Sequence, residues 1–264
     1  MGRRELAATL RRMGDVAIAV SGGVDSMTLA AVAHRDAALR VEVFHAVSPA
    51  VPREATERVR EYAAREGWQL RVIDAQEFSD PNYLRNPVTR CFHCKSNLYS
   101  AIAPLTRAQI VSGTNTDDLG DYRPGLDAAR ALGVRHPYVE AGIDKQGVRR
   151  IAHELGLHDI ADLPAAPCLA SRIETGITIE AEALNLVHEV ERHLAATIAP
   201  RAARCRERAG RVVVGLDEET LHALDSAARQ QIIDDVAERW RRRGRPRPAE
   251  LAPYRRGSAF VHTA

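Results

Sequence analysis

Apolar residues are distributed along the chain in two patterns that alternate. The continuous apolar run Val16–Val20 reads as a buried strand, and Val41–Val47, Trp68–Ile73 and Gln109–Ser112 read as three further strands. Between them lie stretches with helical spacing: residues 1–14, Val24–Arg35, Arg53–Glu66 and Cys91–Ala103. Strands that alternate with helices predict an α/β fold, a doubly wound parallel sheet that binds ligands at the carboxyl ends of its strands. Residues 78–90 carry Pro and Asn and read as irregular. Further helices are expected at Leu126–Leu132 and Lys145–Leu155.

Beyond a Pro- and Gly-bounded loop at 165–176 the pattern changes. A long amphipathic helix at Ile179–Ala196 precedes short strands at 201–206 and 211–215, a charged helix at 226–243 and a Pro/Arg-rich hinge at 244–248. The expectation is a smaller C-terminal α+β domain over residues 176–264, after a larger α/β domain over residues 1–175.

Composition narrows the class. The chain has 264 residues, 45% hydrophobic and 27% charged, which excludes a disordered, collagenous or coiled-coil protein. No apolar run approaches the ~18–20 residues needed to span a bilayer, and the first residues lack the apolar core of a secretory signal. A cytoplasmic protein with no membrane partner is expected. A net charge of +2 and 5% aromatics argue against a nucleic-acid surface. Four cysteines in a reducing compartment predict no disulfides. Only two of the 37 basic residues are lysines, Lys95 and Lys145, a bias that reads as genome composition.

The strongest chemical signal is Ser21-Gly22-Gly23-Val24-Asp25-Ser26, between the first strand and its helix. Two glycines let successive N–H groups turn toward one anion, and the following helix adds its positive end. Ser21 and Ser26 supply hydroxyls, and Asp25 can hold Mg²⁺ beside a phosphate. Without a Gly-Lys-Ser/Thr it is not a Walker A loop. A second loop, Gly113-Thr114-Asn115 through Asp117, Asp118 and Asp121-Tyr122-Arg123-Pro124-Gly125, follows the fourth strand. A third motif, Asn86–Lys95, holds Cys91 and Cys94 three apart at a helix start. There Arg90 and the helix end would lower their pKa values.

The first loop resembles the signature of the N-type ATP pyrophosphatases, the PP-loop superfamily with a HUP-like fold. Together the first two loops are similar to the ATP-dependent sacrificial sulfur transferase family (LarE). That resemblance implies an adenylating sulfurtransferase that forms AMP and pyrophosphate. Its substrate would be a small pyridinium dicarboxylate mononucleotide, sulfurated to a thiocarboxylate on the way to the nickel-pincer cofactor. It implies ATP and Mg²⁺ on Ser21, Gly22, Gly23, Asp25, Ser26, Gly113, Thr114 and Asn115, and a homo-oligomer. Cys168, in PCLASR, would either give up its own sulfur and become dehydroalanine, or join Cys91 and Cys94 around a [4Fe-4S] cluster. The presence of all three favours the cluster. Ser171 and Arg172 would orient substrate, and Arg204 and Arg206 would bind its phosphate bidentately. Cys205, on the opposite strand face, reads as a core thiol. Tyr254, Arg255, Gly257 and Ser258 resemble the family's terminal segment. Between Arg206 and Tyr254 the chain departs from the family pattern.

Other readings are a tRNA thiolase with a three-cysteine cluster, an ammonia-using synthetase, and an inactive ATP-binding regulator or scaffold. The small net charge counts against the first, and the cysteines against the second. An intact Ser21–Ser26 loop counts against the third.

Overall fold

A computed structural model describes residues 2–37, 39–120, 124–164 and 167–255. Asp121, Tyr122 and Arg123 of the second loop, and Gly257 and Ser258 of the tail, lie outside the described residues.

The described elements run in chain order as α1 (Arg3–Met13), β1 (Val16–Ala19), α2 (Val24–Asp36), β2 (Val41–Ala46), α3 (Arg53–Glu66) and β3 (Gln69–Ile73). They continue as α4 (Pro81–Leu84), α5 (Arg90–Ile102), β4 (Gln109–Val111), α6 (Pro124–Ala131), α7 (Pro137–Glu140), α8 (Lys145–Glu154) and α9 (His158–Ala161). The last are α10 (Ala181–Thr197), β5 (Ala203–Arg208), β6 (Arg211–Leu216), α11 (Glu218–Ala223), α12 (Ser226–Arg242) and β7 (Ala249–Pro253). The chain divides into two compact units, residues 1–80 with 89–166, and residues 81–88 with 167–264. Among the described residues, no helix is long and apolar enough to cross a membrane.

The first unit is built on a parallel sheet in the order β3-β2-β1-β4. Alternation along the central strands sorts their side chains to two faces. Val16 and Ile18 of β1, Val43 of β2 and Val111 of β4 join a core with Leu6 and Leu10 of α1, Met27 of α2 and Ile151 of α8. Ala17, Phe44 and Ile110 join Tyr99 and Ile102 of α5 and Ala129 of α6. Helices therefore cover both faces, and the fold is the α/β, HUP-like architecture. From β1 the chain steps outward through β2 to β3, then returns to the far side of β1 as β4. The reversal between β1 and β4 is the topological switch point, where such sheets bind ligands.

The second unit carries a mixed sheet, β5-β6-β7, with β5 and β6 antiparallel and β6 and β7 parallel. Leu186, Val187, Val190 and Leu194 of α10, with Val236 and Trp240 of α12, pack on its apolar positions, which include Cys205 and Val214. Strand β7 follows the hinge where the sequence predicts none. Pro248 and Pro253 hide its strand character, but proline is tolerated at the ends of an edge strand, and the Pro248 carbonyl still accepts the Val212 N–H at 2.9 Å. The irregular stretch at 78–90 also contains α4. Asn86 after it takes φ 53°, and its side-chain amide donates to the carbonyls of Ile173 and Glu174 at 3.3 and 2.8 Å.

Candidate functional site

The two glycine-bearing loops leave the adjacent strands β1 and β4 at the switch point. Ser21–Ser26 is tightly folded on itself. The Ser21 N–H donates to Ser26 Oγ at 3.0 Å, the two hydroxyl oxygens lie 3.3 Å apart, and Ser26 Oγ donates to the Gly23 carbonyl at 3.3 Å. Gly22 takes φ 81°, and a Cβ there would fall 2.7 Å from the Ala55 carbonyl oxygen. The Arg58 guanidinium of α3 holds the Gly22 carbonyl at 2.9 Å. Gly23 is the N-cap of α2 and supplies no side-chain cap. The first amides of α2 thus remain available for an anion at the helix's positive end.

The second loop presses against the same place. A Cβ on Gly113 would lie 2.8 Å from the Ser26 nitrogen and 2.9 Å from the Asp25 carbonyl carbon, so only glycine permits this approach. Asn115 caps the following turn, accepting from the Asp117 N–H at 3.1 Å. Its amide also donates to Asp25 Oδ1 at 3.2 Å, across 90 residues of sequence. Thr114 Oγ1 lies 3.1 Å from Ser112 Oγ, which in turn meets His136 Nδ1 at 2.9 Å. Asp25 is the meeting point: Lys145 Nζ sits 2.5 Å from its Oδ2, and the Tyr138 hydroxyl donates to its backbone carbonyl at 2.9 Å.

Buried groups behind the loops hold their shape. His45 bridges the Val20 carbonyl and Thr56 Oγ1, each at 2.9 Å, tying the end of β1 to α3. Burial lowers the pKa of His45, and also that of His136, against a smaller opposing pull from Glu140. Tyr138 is fully buried beside Asp25, and burial raises its phenol well above the ordinary value.

In the second unit Cys168 is half-buried and precedes a single 3₁₀ turn, Leu169–Arg172. Arg172 is buried with every nitrogen engaged. Its Nε and Nη2 donate to the two Glu191 oxygens at 2.9 Å each, and its Nη1 donates to the Pro167 carbonyl at 2.7 Å and to Ser171 Oγ at 3.0 Å. The Cys168 carbonyl is a further acceptor at 3.3 Å. Arg172 is therefore wired into the protein, and Ser171 with it. Arg206 is different. Its side chain is buried, its Nε has no hydrogen-bond partner, and its guanidinium lies 5.4 Å from the Tyr254 ring centroid. Burial lowers its pKa. Arg204 also reaches over Tyr254, at 5.9 Å. Cys205 between them is fully buried, and burial pushes its thiol well above the ordinary range.

The donor sets decide which inorganic partners fit. Mg²⁺ is usually held by one or two carboxylates together with substrate phosphates, and Asp25 beside an anion-ready helix end meets that need. A [4Fe-4S] cluster needs three gathered thiolates. Cys91 and Cys94 lie in the first two turns of α5 in the first unit, and Cys168 belongs to the second unit. Among the described residues, no group of three His, Cys, Asp or Glu side chains is placed to hold a metal ion. The described residues therefore give no support to the cluster that the resemblance favours.

Sequence reasoning missed Lys145, Tyr138, His45, Arg58 and Glu191. Two left a signal. Lys145 is one of only two lysines, and Glu191 falls on the stripe of α10 that also carries Val187 and Val190, a charge where an apolar residue belongs.

The class of protein is now defined: a switch-point α/β fold of the HUP kind with a smaller mixed-sheet unit after it. The chain belongs to the same family as an uncharacterized protein of Synechocystis, to which it is 40% identical over 181 residues, 67% of each chain. An uncharacterized protein of Methanocaldococcus jannaschii is 26% identical over 183 residues, 68% of this chain and 69% of that one. The pyridinium-3,5-bisthiocarboxylic acid mononucleotide synthase of Lactiplantibacillus plantarum is 29% identical over 197 residues, 72% of this chain and 70% of that one. No family model matches the chain.

Proposed function

We propose that this protein is an ATP-dependent sulfurtransferase that activates a carboxylate of a pyridinium dicarboxylate mononucleotide and converts it to a thiocarboxylate for a nickel-pincer cofactor. The observation that carries this reading is the convergence on Asp25 of the Ser21–Ser26 and Gly113–Asn115 loops at the β1–β4 switch point. The likeness to the Lactiplantibacillus synthase supplies the substrate class.

In this reading the N-terminal amides of α2, with Ser21 and Ser26, hold the outer phosphates of ATP, and Asp25 would hold a Mg²⁺ ion. When bound, that ion would screen phosphate charge. A substrate carboxylate oxygen attacks the α-phosphorus, the bond to the bridging oxygen breaks, and pyrophosphate leaves with that electron pair. The product is an acyl-adenylate. The Cys168 thiolate then attacks the acyl carbon and expels AMP, giving a thioester. Loss of the Cys168 α-proton and cleavage of its Cβ–Sγ bond leave the sulfur on the substrate as a thiocarboxylate and the residue as dehydroalanine. Arg206, buried without a carboxylate partner among the described residues, is assigned to the substrate's phosphate, with Arg204 beside it. Arg172 acts through position, holding the backbone around Cys168.

The test is a turnover assay with ATP, Mg²⁺ and the dicarboxylate mononucleotide. AMP and pyrophosphate should appear in equal amounts, with one thiocarboxylate per chain and loss of one H₂S from the mass of Cys168. Absence of AMP would overturn the reading.

A further inference from the structure

Lys145 stands against two local preferences. It is the first residue of α8, where the helix's positive end disfavours a cation, and no acidic residue shares that first turn. It is also a lysine in a chain whose other cations, Lys95 apart, are all arginines. Its placement is well fixed: the Lys145 N–H donates to Asp117 Oδ2 at 3.2 Å, and Asp144 caps the helix through the Gly147 N–H at 2.7 Å. What Lys145 gains there is Asp25. Both oxygens of that carboxylate are engaged, Oδ2 by the ammonium at 2.5 Å and Oδ1 by the Asn115 amide at 3.2 Å.

A metal ion on Asp25 must compete for those oxygens. An arginine there would close a two-pronged fork on the carboxylate and resist release, whereas lysine is a point charge on a flexible stem that exchanges one oxygen for another. The pair is only partly buried, with side-chain exposures of 30% and 28%, so neither charge is trapped.

We propose that Lys145 is an exchangeable stand-in for the metal: its ammonium neutralises Asp25 in the empty site, and it transfers to a phosphate oxygen when the metal–nucleotide complex arrives. Asp25 then accepts the divalent ion only together with nucleotide. This inference rests on the ATP reading of the Ser21–Ser26 loop, and it adds an order of events: metal does not load before nucleotide. No covalent bond changes. One ammonium–carboxylate contact is replaced by an ammonium–phosphate contact and a metal–carboxylate contact.

The test is a Mn²⁺ titration of the full chain without nucleotide, followed by electron paramagnetic resonance of the unbound ion. Lys145→Met should bind Mn²⁺ about tenfold or more tighter than wild type, since a neutralising cation has been removed from its carboxylate. The double variant Lys145→Met with Asp25→Asn should lose that gain. Equal Mn²⁺ affinity in wild type and Lys145→Met, or a gain that survives Asp25→Asn, overturns the proposal. Lys145→Arg preserves charge and provides a second arm. It should bind nucleotide-free Mn²⁺ no tighter than wild type and weaken Mn²⁺–ATP binding about tenfold, because the fork holds Asp25. Wild-type affinity for Mn²⁺–ATP in Lys145→Arg also overturns it. Failure of wild type to bind ATP sinks the functional reading instead, and the nucleotide-free titration still decides whether Lys145 guards Asp25.

Discussion

Arg172 and Glu191 meet in a side-on pair, Nε to Oε1 and Nη2 to Oε2, both at 2.9 Å, with side-chain exposures of 5% and 12%. Glu191 Oε1 also accepts the Cys205 N–H at 3.0 Å, so one carboxylate ties α10 to β5 and, through Arg172, to the backbone of Cys168. Breaking a buried pair from one side leaves an uncompensated charge. Glu191→Ala should destabilise the second unit by roughly 3–5 kcal/mol, read as a shift in the urea unfolding midpoint. Arg172 would lose its anchor, and Cys168 should alkylate faster with iodoacetamide. An unchanged alkylation rate would remove the positioning role assigned to Arg172.

Gly22 combines two constraints that can be separated. Its φ of 81° is strained for any other residue, and its missing Cβ makes room for the Ala55 carbonyl oxygen at 2.7 Å, whereas Gly67, with φ 69°, has nothing within 4 Å of its would-be Cβ. Gly22→Ala should cost roughly 1–3 kcal/mol and weaken ATP binding by displacing the loop. Gly67→Ala should cost less and leave ATP binding intact. Calorimetric unfolding with an ATP titration of both variants checks the contrast.

The buried imidazoles give stability a defined pH dependence. His45 and His136 titrate below 6.5 in the folded chain, chiefly because burial penalises the charged ring. Unfolded, both take up protons near the ordinary value. Below it, the unfolded chain binds more protons than the folded one, so stability falls as pH falls. The unfolding midpoint should therefore decrease as the solution is acidified from about pH 7 to about pH 5, and His45→Gln should flatten that slope. Measuring the urea midpoint of both proteins across the range tests it.

The four sheet strands of the first unit were legible from local pattern: β1 is a continuous apolar run, and β2, β3 and β4 are short stretches rich in Val, Ile and Leu. The same holds for the glycines of Ser21–Ser26 and Gly113–Asn115, whose backbone freedom is written in the residue type. Lys145 was not legible. Its partner lies 120 residues away, and only the folded sheet brings α8 to the start of α2. Glu191 shows an intermediate case, in which a carboxylate on an apolar stripe signals a buried partner without naming Arg172. Strand β7 was hidden for the opposite reason: the local signal of its prolines was real, and pairing with β6 overrode it.

Arg206 should be dispensable for folding and needed for substrate. Its buried Nε has no hydrogen-bond partner, and among the described residues no carboxylate pairs with it, so the folded protein bears a desolvation cost that a bound phosphate would offset. Arg206→Met should leave the unfolding midpoint unchanged or raised. Inorganic phosphate or a nucleoside monophosphate should raise the midpoint of wild type and not that of the variant. A variant that loses stability yet keeps the phosphate response would show that Arg206 serves the fold.

The cysteines provide the sharpest separation of chemistries. If Cys168 gives its own sulfur, Cys168→Ser should still release pyrophosphate from ATP and hold the AMP moiety as the substrate's acyl-adenylate, because adenylation needs only the loops around Asp25 whereas expulsion of AMP needs the thiolate. It should form no thiocarboxylate. The pair Cys91→Ser with Cys94→Ser, by the same logic, should retain a single round of sulfur transfer and the accompanying mass loss at Cys168, since neither thiol enters that sequence of bonds. Anaerobic purification with iron and sulfide counts completes the comparison. Repeated turnover with added sulfide, abolished equally by loss of Cys91, Cys94 or Cys168 and accompanied by four irons per chain as in a Cys-held cluster, would replace the sacrificial route with catalysis on a cluster.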